Sequence, residues 1–326
     1  EYIMPFHVVV TDYLFDTLDP FLTELKELPD IDVSTYQERD PEKLIPLVRD
    51  ADVVFVHHAK ISAQVIDAME HCKMITRPAI GFDNIDVDAA TKKGIYVTNI
   101  PEYGAQFDVS NHVIMLMLVC VKKLWLLAKD VKQGGWDFNI AKPIRRLNGQ
   151  ILGLCGLGRI PRQVAFKAQA LGMDVISYDP YMSAEAMAEL KVRKVDFETL
   201  CRESDVISIT LPLNDETKYL FDERAFEMMK DSAYIINTAR GAVIKESALV
   251  DALKKKQIAG AGLDVLENET PNPDNPLFQM DNVIVTPHCA FLSVDSEDSL
   301  LSQCGEQTVA VYRTGAPTHS VNQLQK

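Results

Sequence analysis

The feature that most constrains this chain is a rhythm: short apolar, β-branched runs recur along nearly the whole length, each followed by a helix-like stretch. Through residues 7 to 100 the runs are HVVVTDY, IDVSTY, DVVFVHH, KMITRPAI and IYVTNI, with PEKLIPLVRDA and SAQVIDAMEH among the segments between them. They are apolar nearly throughout rather than alternating, the pattern of parallel strands covered on both faces by helices. This part of the chain therefore predicts one open α/β sheet. After a dense apolar helical stretch, roughly Gln106 to Gln133, a second series follows: ILGLCG, MDVISYD, DVISITLP, AYIINTA, IAGAGLDV and NVIVTPH. Within it, SALVDALKKK predicts a helix capped by Ser247, with lysines at the favourable end of the dipole. The tail from Ser293 to Arg313 predicts one more helix, which has no sheet of its own and must pack on an existing domain.

Length and composition fit this reading and exclude others. A chain of 326 residues holds two domains of about 150 residues, each large enough for its own core. Lys plus Arg number 33 against 47 Asp plus Glu, a net charge of −14. Such a surface repels polyanions, so neither nucleic acid nor an anionic membrane is an expected partner. The six cysteines form no CxxC pair and have no histidine at zinc spacing, so no metal is expected; they read as small buried hydrophobes in a reducing compartment. The longest clean apolar run, Val113 to Val121, has nine residues, whereas a membrane span needs about 20. The opening EYIMPFHVVVTDY lacks the basic region, apolar stretch and cleavage site of a leader, and a cytoplasmic protein is expected.

A cofactor signature follows the strand-like QILGLC: Gly156-Leu157-Gly158-Arg159-Ile160-Pro161, leading into RQVAFKAQALG. A glycine turn between strand and helix lets the backbone approach a pyrophosphate, and the helix N-terminus offers unpaired N–H groups. The next strand-like run ends in Asp179, whose carboxylate can accept both ribose hydroxyls of an adenosine and repels a 2′-phosphate, favouring NAD over NADP. The third glycine of the fingerprint is here Pro161. A proline is tolerated in a first helical turn, although its ring should push the helix slightly from the sheet.

Three later runs each end in polar residues: Arg240 beyond YIINTA, Asp264 and Glu269 beyond IAGAGL, and His288 beyond NVIVT. Singly, each has a bland explanation as a surface ion pair, a loop residue or a satisfied histidine. Together, at the carboxyl ends of strands where open sheets bind ligands, they converge. In this order, with GFDNID at Gly81 to Asp86, GLGR at Gly156 to Arg159, NTARG at Asn237 to Gly241, GLDVLENE at Gly262 to Glu269 and TPH at Thr286 to His288, the chain resembles the D-isomer-specific 2-hydroxyacid dehydrogenases. Its branch resembles that of phosphoglycerate dehydrogenases and C-terminal-binding proteins.

The resemblance implies two Rossmann-like, doubly wound parallel-sheet domains, a flavodoxin-like substrate domain and an NAD-binding domain, with a cleft between them. The expected substrate domain is residues 1–100 with 291–326, and the NAD domain, including a dimerisation arm, is 101–290. Arg240 would bind the substrate carboxylate and polarise the 2-oxo group, His288 would be the general acid and base, and Glu269 would orient its imidazole. Cofactor contacts would come from Gly156, Gly158, Arg159, Ile160, Asp179, Thr210, Pro212, Thr238 and Ala239, with Asp264 beside the nicotinamide. Backbone donors at Ile80 and Gly81, together with His58, would hold the substrate. His57 and His58 are expected to diverge as neighbouring strand-end side chains do, which argues against zinc. The helix after Pro101 reads as core or homodimer interface, and Trp136 as an anchor closing its arm. The implied activity is reversible NAD-dependent hydride transfer between a D-2-hydroxy acid and its 2-oxo acid; an NAD-sensing corepressor-like protein is the alternative, and formate or phosphite oxidation a third.

Overall fold

Two parallel sheets account for the apolar runs of the sequence. The computed structural model describes residues 5–269 and 272–324; the first four residues, part of the opening read for a leader, lie outside the described residues. The chain divides into two units, Glu1–Gly104 with Ser293–Lys326, and Ala105–Leu292. In the first, the elements are β1 (Phe6–Val10), α1 (Asp19–Leu25), β2 (Ile31–Thr35), α2 (Pro41–Val48), β3 (Val53–Phe55), α3 (Ala63–Ala68), β4 (Met74–Thr76), α4 (Val87–Lys92) and β5 (Tyr96–Thr98). The strand order β2-β1-β3-β4-β5, parallel throughout, is the flavodoxin-like one. Val8, Val9, Val10, Val53, Val54 and Phe55 are fully buried, which is why these strands carry no polar alternation. Aspartates start the helices: Asp40 accepts from Glu42 N (3.0 Å) and Asp86 from Ala89 N (2.9 Å).

The second unit contains α5 (Ala105–Lys122), α6 (Leu124–Lys132), β6 (Ile151–Cys155), α7 (Arg159–Ala170), β7 (Asp174–Tyr178), α8 (Ala184–Glu189), β8 (Arg193–Lys194), α9 (Phe197–Glu203), β9 (Val206–Ile209), α10 (Glu223–Met228), β10 (Tyr234–Asn237), α11 (Glu246–Lys254), β11 (Gly260–Leu263) and β12 (Val283–Val285). Its order, β12-β11-β10-β9-β6-β7-β8, reverses direction at β6, the switch point where such sheets take up ligands. The two-residue edge strand β8 was not legible, because ArgLys carries no strand pattern. Helix α5 buries Val113, Leu116, Met117, Cys120 and Val121 against Leu152, Leu154, Val206 and Ile236. The apolar residues of that face are therefore core, while Phe107 and Met115 of the same helix are exposed, and among the described residues no single helix is long and apolar enough to cross a membrane.

Three local expectations are corrected. The helix expected to run on to Gln133 breaks at Lys123, which is left-handed (φ 50°), and bends by 64°. The reason is burial: α5 is buried as far as Val121, whereas α6 buries none of its residues and leaves the sheet. Ser247 does not cap α11, which starts one residue earlier; the Glu246 N–H instead donates to the Glu267 carboxylate (3.1 Å), and the Glu267 N–H to Glu246 (3.1 Å). Trp136 is no anchor, being 90% exposed. Asp130 holds its segment instead, accepting from Gly135 N (2.9 Å) at its carbonyl and from Asp137 N (3.3 Å) at its carboxylate.

The tail helix α12 (Val294–Thr314) is capped by Ser293, whose hydroxyl accepts from Ser296 N (3.1 Å). It packs on α1, and Ser302 donates to Glu24 (2.8 Å). Beyond it, Val321 N donates to Val97 O (2.8 Å) and the Asn322 side chain accepts from Val97 N (2.8 Å), tying the tail to β5.

Candidate active site

At the end of β6 the chain turns at Gly156, whose φ of +96° is free of strain for glycine alone. Gly156 N donates to Tyr178 O (2.8 Å) and Leu157 N to Asp179 Oδ2 (2.9 Å), while Asp179 Oδ1 accepts from Tyr181 N (2.9 Å). Asp179 Oδ2 thus fixes the turn after β6, and both oxygens still have lone pairs to offer. Gly158 precedes α7, and a side chain added there would meet nothing within 4 Å, so the space before the helix N-terminus is open. Arg159 and Ile160 begin the helix. Pro161 is buried in its first turn, where its missing N–H would have had no helical acceptor. Thr210 donates through N and Oγ1 to Cys155 O (both 3.1 Å), and the exposed Pro212 accepts from Thr217 Oγ1 (2.6 Å). The Thr238 hydroxyl is buried without a partner among the described residues, a costly state unless a ligand meets it. An open helix N-terminus after β6, a carboxylate with lone pairs to spare after β7 and an orphaned hydroxyl after β10 fit a dinucleotide.

Beyond β10, the Asn237 amide donates to Arg240 O (3.0 Å) and its Oδ1 accepts from Ala239 N (3.0 Å), shaping the turn that carries Arg240. Arg240 Nη1 donates to Ala239 O (2.8 Å). Gly241 follows because a Cβ there would lie 1.8 Å from Leu266 O.

Asp264 is 1% exposed and braces the loop after β12. Its Oδ1 accepts from the Thr286 hydroxyl (2.5 Å) and Cys289 N (3.0 Å), its Oδ2 from Ala290 N (2.9 Å), and its carbonyl from His288 N (2.8 Å). These bonds hold His288 in a left-handed conformation (φ 52°) that costs a non-glycine residue about 1 kcal/mol or more. His288 Nδ1 lies 2.8 and 2.9 Å from the two Glu269 oxygens, with both side chains partly exposed. Tethered through Nδ1, the imidazole has Nε2 left to exchange a proton.

In the first unit, Asp12 collects the N–H groups of His57 (3.2 Å), His58 (2.9 Å) and Ala59 (3.1 Å) and the Arg39 guanidinium (3.0 Å). Burial alone would raise its pKa, but those backbone bonds outweigh it and the carboxyl sits below its usual range. The two histidines do not diverge. Strand β3 ends at Phe55, so alternation has ceased, and their rings lie 4.2 Å apart with His57 stacked on Phe15 at 4.8 Å. His57 is buried and its pKa is pushed down to about 3, mainly by burial, whereas His58 is exposed. In the loop after β4, the carbonyls of Ala79, Ile80 and Gly81 are taken by Ile100 N, Asn99 Nδ2 and Arg77 Nη1, while the N–H groups of Ile80 and Gly81 have no acceptor among the described residues. Those two donors are free to meet an anion.

Asp12, Arg77, His112 and Cys289 escaped sequence reasoning. His112 touches Thr286 across 174 residues, and no local spacing reports such a pairing. Asn111 accepts from Lys167 Nζ (2.7 Å) and so links α5 to α7.

Residues 114–290 match the model of the D-isomer specific 2-hydroxyacid dehydrogenase NAD-binding domain. A D-3-phosphoglycerate dehydrogenase of Archaeoglobus fulgidus is 41% identical over 80% of this chain, and the chain spans about half (49%) of that relative's length. A glyoxylate reductase of Korarchaeum cryptofilum is 36% identical over 88% of both chains. The crystal structure of a D-lactate dehydrogenase from Aquifex aeolicus, complexed with NAD and lactic acid, superposes with a TM-score of 0.85 at 30% identity, covering 94% of this chain and 96% of that one.

Proposed function

Because the chain belongs to the D-isomer-specific 2-hydroxyacid dehydrogenase family, we propose that it reversibly interconverts a small D-2-hydroxy acid and its 2-oxo acid with NAD as cofactor. The observation that carries this reading is the His288–Glu269 pair, presented on a loop braced by Asp264. NADH, when bound, supplies the hydride. His288 gives a proton from Nε2 to the forming alkoxide and takes it back in the reverse direction, while Glu269 fixes the ring through Nδ1. Arg240 binds the carboxylate and polarises the oxo group with a charge that persists at any working pH. Within the first unit, the Ile80 and Gly81 N–H groups, which have no acceptor among the described residues, and the exposed His58 are the further candidates for holding substrate. Asp179 accepts the ribose hydroxyls and disfavours NADPH.

Exposed Phe107, Met115, Leu124, Val131, Trp136 and Phe138 support a homodimer built on the α5–α6 arm. Six unpaired cysteines support work in a reducing cytoplasm. A spectrophotometric screen of NADH oxidation against glyoxylate, pyruvate, hydroxypyruvate and 3-phosphohydroxypyruvate tests the activity. Turnover of at least one is expected, with loss of roughly 10²–10⁴-fold in kcat for His288→Ala. The reading fails if none is consumed, or if Arg240→Ala matches the wild type.

A further inference from the structure

Behind the loop of His288 lies a polar relay, His112–Thr286–Asp264, of which the proposed chemistry uses only Asp264. His112, on the core-embedded helix α5, has a side chain only 12% exposed, and its Nε2 lies 2.9 Å from Thr286 Oγ1 and 3.4 Å from Asp264 Oδ1. The Thr286 hydroxyl has one proton and directs it to Asp264 Oδ1 at 2.5 Å, where a carboxylate can only accept. Thr286 Oγ1 must therefore accept from His112, which places the imidazole proton on Nε2. Burial holds His112 below its usual pKa, against the opposing pull of Asp264, in keeping with a neutral ring.

The loop at the end of this relay needs a brace. Strand β12 is three residues long and lies at the sheet edge, paired among the described residues with β11 alone, and the chain beyond it holds His288 left-handed. We infer that His112 is a positioning residue, acting through Thr286 and Asp264 to hold the loop that presents His288. The inference rests on the reading of His288 as the proton donor. Helix α5 provides the rigid base, because Val113, Leu116, Met117, Cys120 and Val121, after His112, pack against the sheet.

The test is a set of variants of the full chain. His112→Leu is expected to lower kcat by about 10- to 100-fold, the scale of a small misplacement, while KM for the 2-oxo acid and Kd for NADH stay within about twofold. His112→Gln, whose amide can donate to Thr286, should recover most of the loss; a purely structural role would not produce that split or that rescue. Should His112→Leu fail to fold, Thr286→Val interrupts the same relay, and where both fold the double variant should lose no more than the worse single one. Unchanged kcat in folded His112→Leu, no rescue by glutamine, or multiplying losses would overturn the inference. If the wild type turns over no 2-oxo acid, the proposed activity is what fails. The relay is then decided by long-range proton–nitrogen NMR of the folded protein: His112 protonated on Nε2 supports it, and on Nδ1 overturns it.

Discussion

His288 sits in a conformation that glycine adopts freely and histidine does not, so the surrounding bonds must hold it there. Most of them converge on Asp264. Asp264→Asn replaces one accepting oxygen by an amide donor, facing either Ala290 N or the Thr286 and Cys289 donors, and should destabilise the fold by about 2–3 kcal/mol, read as a lower denaturant midpoint. His57 makes a separate prediction. Its folded pKa, about 3, lies below that of an unfolded histidine, so on acidification the unfolded chain takes up the proton first. Stability associated with neutral His57 is therefore complete above about pH 6.5 and is lost as pH falls toward 3, on the order of 1 kcal/mol per pH unit. His57→Phe should flatten that acid slope in pH-dependent denaturation; an unchanged slope would show that His57 is protonated in the folded state. A pair of histidines in sequence says nothing of this asymmetry, because the Asp12 carboxylate that shapes their turn lies 45 residues away from His57.

At the scale of elements, strands and the turn after β6 were legible, and helix ends less so. A strand buried on both faces must be apolar throughout, and a strand-to-helix turn that approaches a phosphate must be glycine-rich, so each leaves a local mark. Helix α11 shows the limit: the acceptor for its first N–H comes from Glu267, on a loop 21 residues away, and Ser247 stands idle as a cap. Two predictions belong here. Asp179→Ala removes both a turn acceptor and the proposed ribose partner, and should raise the Kd for NADH at least about tenfold while narrowing its advantage over NADPH, as read by titration calorimetry. Gly241→Ala drives a methyl group into Leu266 O, and should destabilise the fold by about 2 kcal/mol or more in thermal unfolding.

For the whole molecule, a net charge of −14 offers an anionic substrate no general attraction, so under the proposed reading capture rests on a local positive group, Arg240. The exposed arm predicts that the protein sediments as a dimer and that charges placed at Trp136 and Val131 shift it to monomer, by analytical ultracentrifugation; a wild-type monomer at micromolar concentration would refute it. The sequence by itself determined two parallel α/β sheets, a dinucleotide turn and the strand ends that carry Arg240, Asp264 and His288, because burial on both faces and close backbone approach impose their patterns locally. Only the tertiary structure decided that Asp264 is an internal brace, that His112 reaches the loop of His288, and that His57 is buried while the ring of His58 beside it stays exposed. Those outcomes depend on which polar group finds which acceptor across tens to hundreds of residues, and the cost of leaving a buried polar group unpaired selects the answer only once the chain has folded.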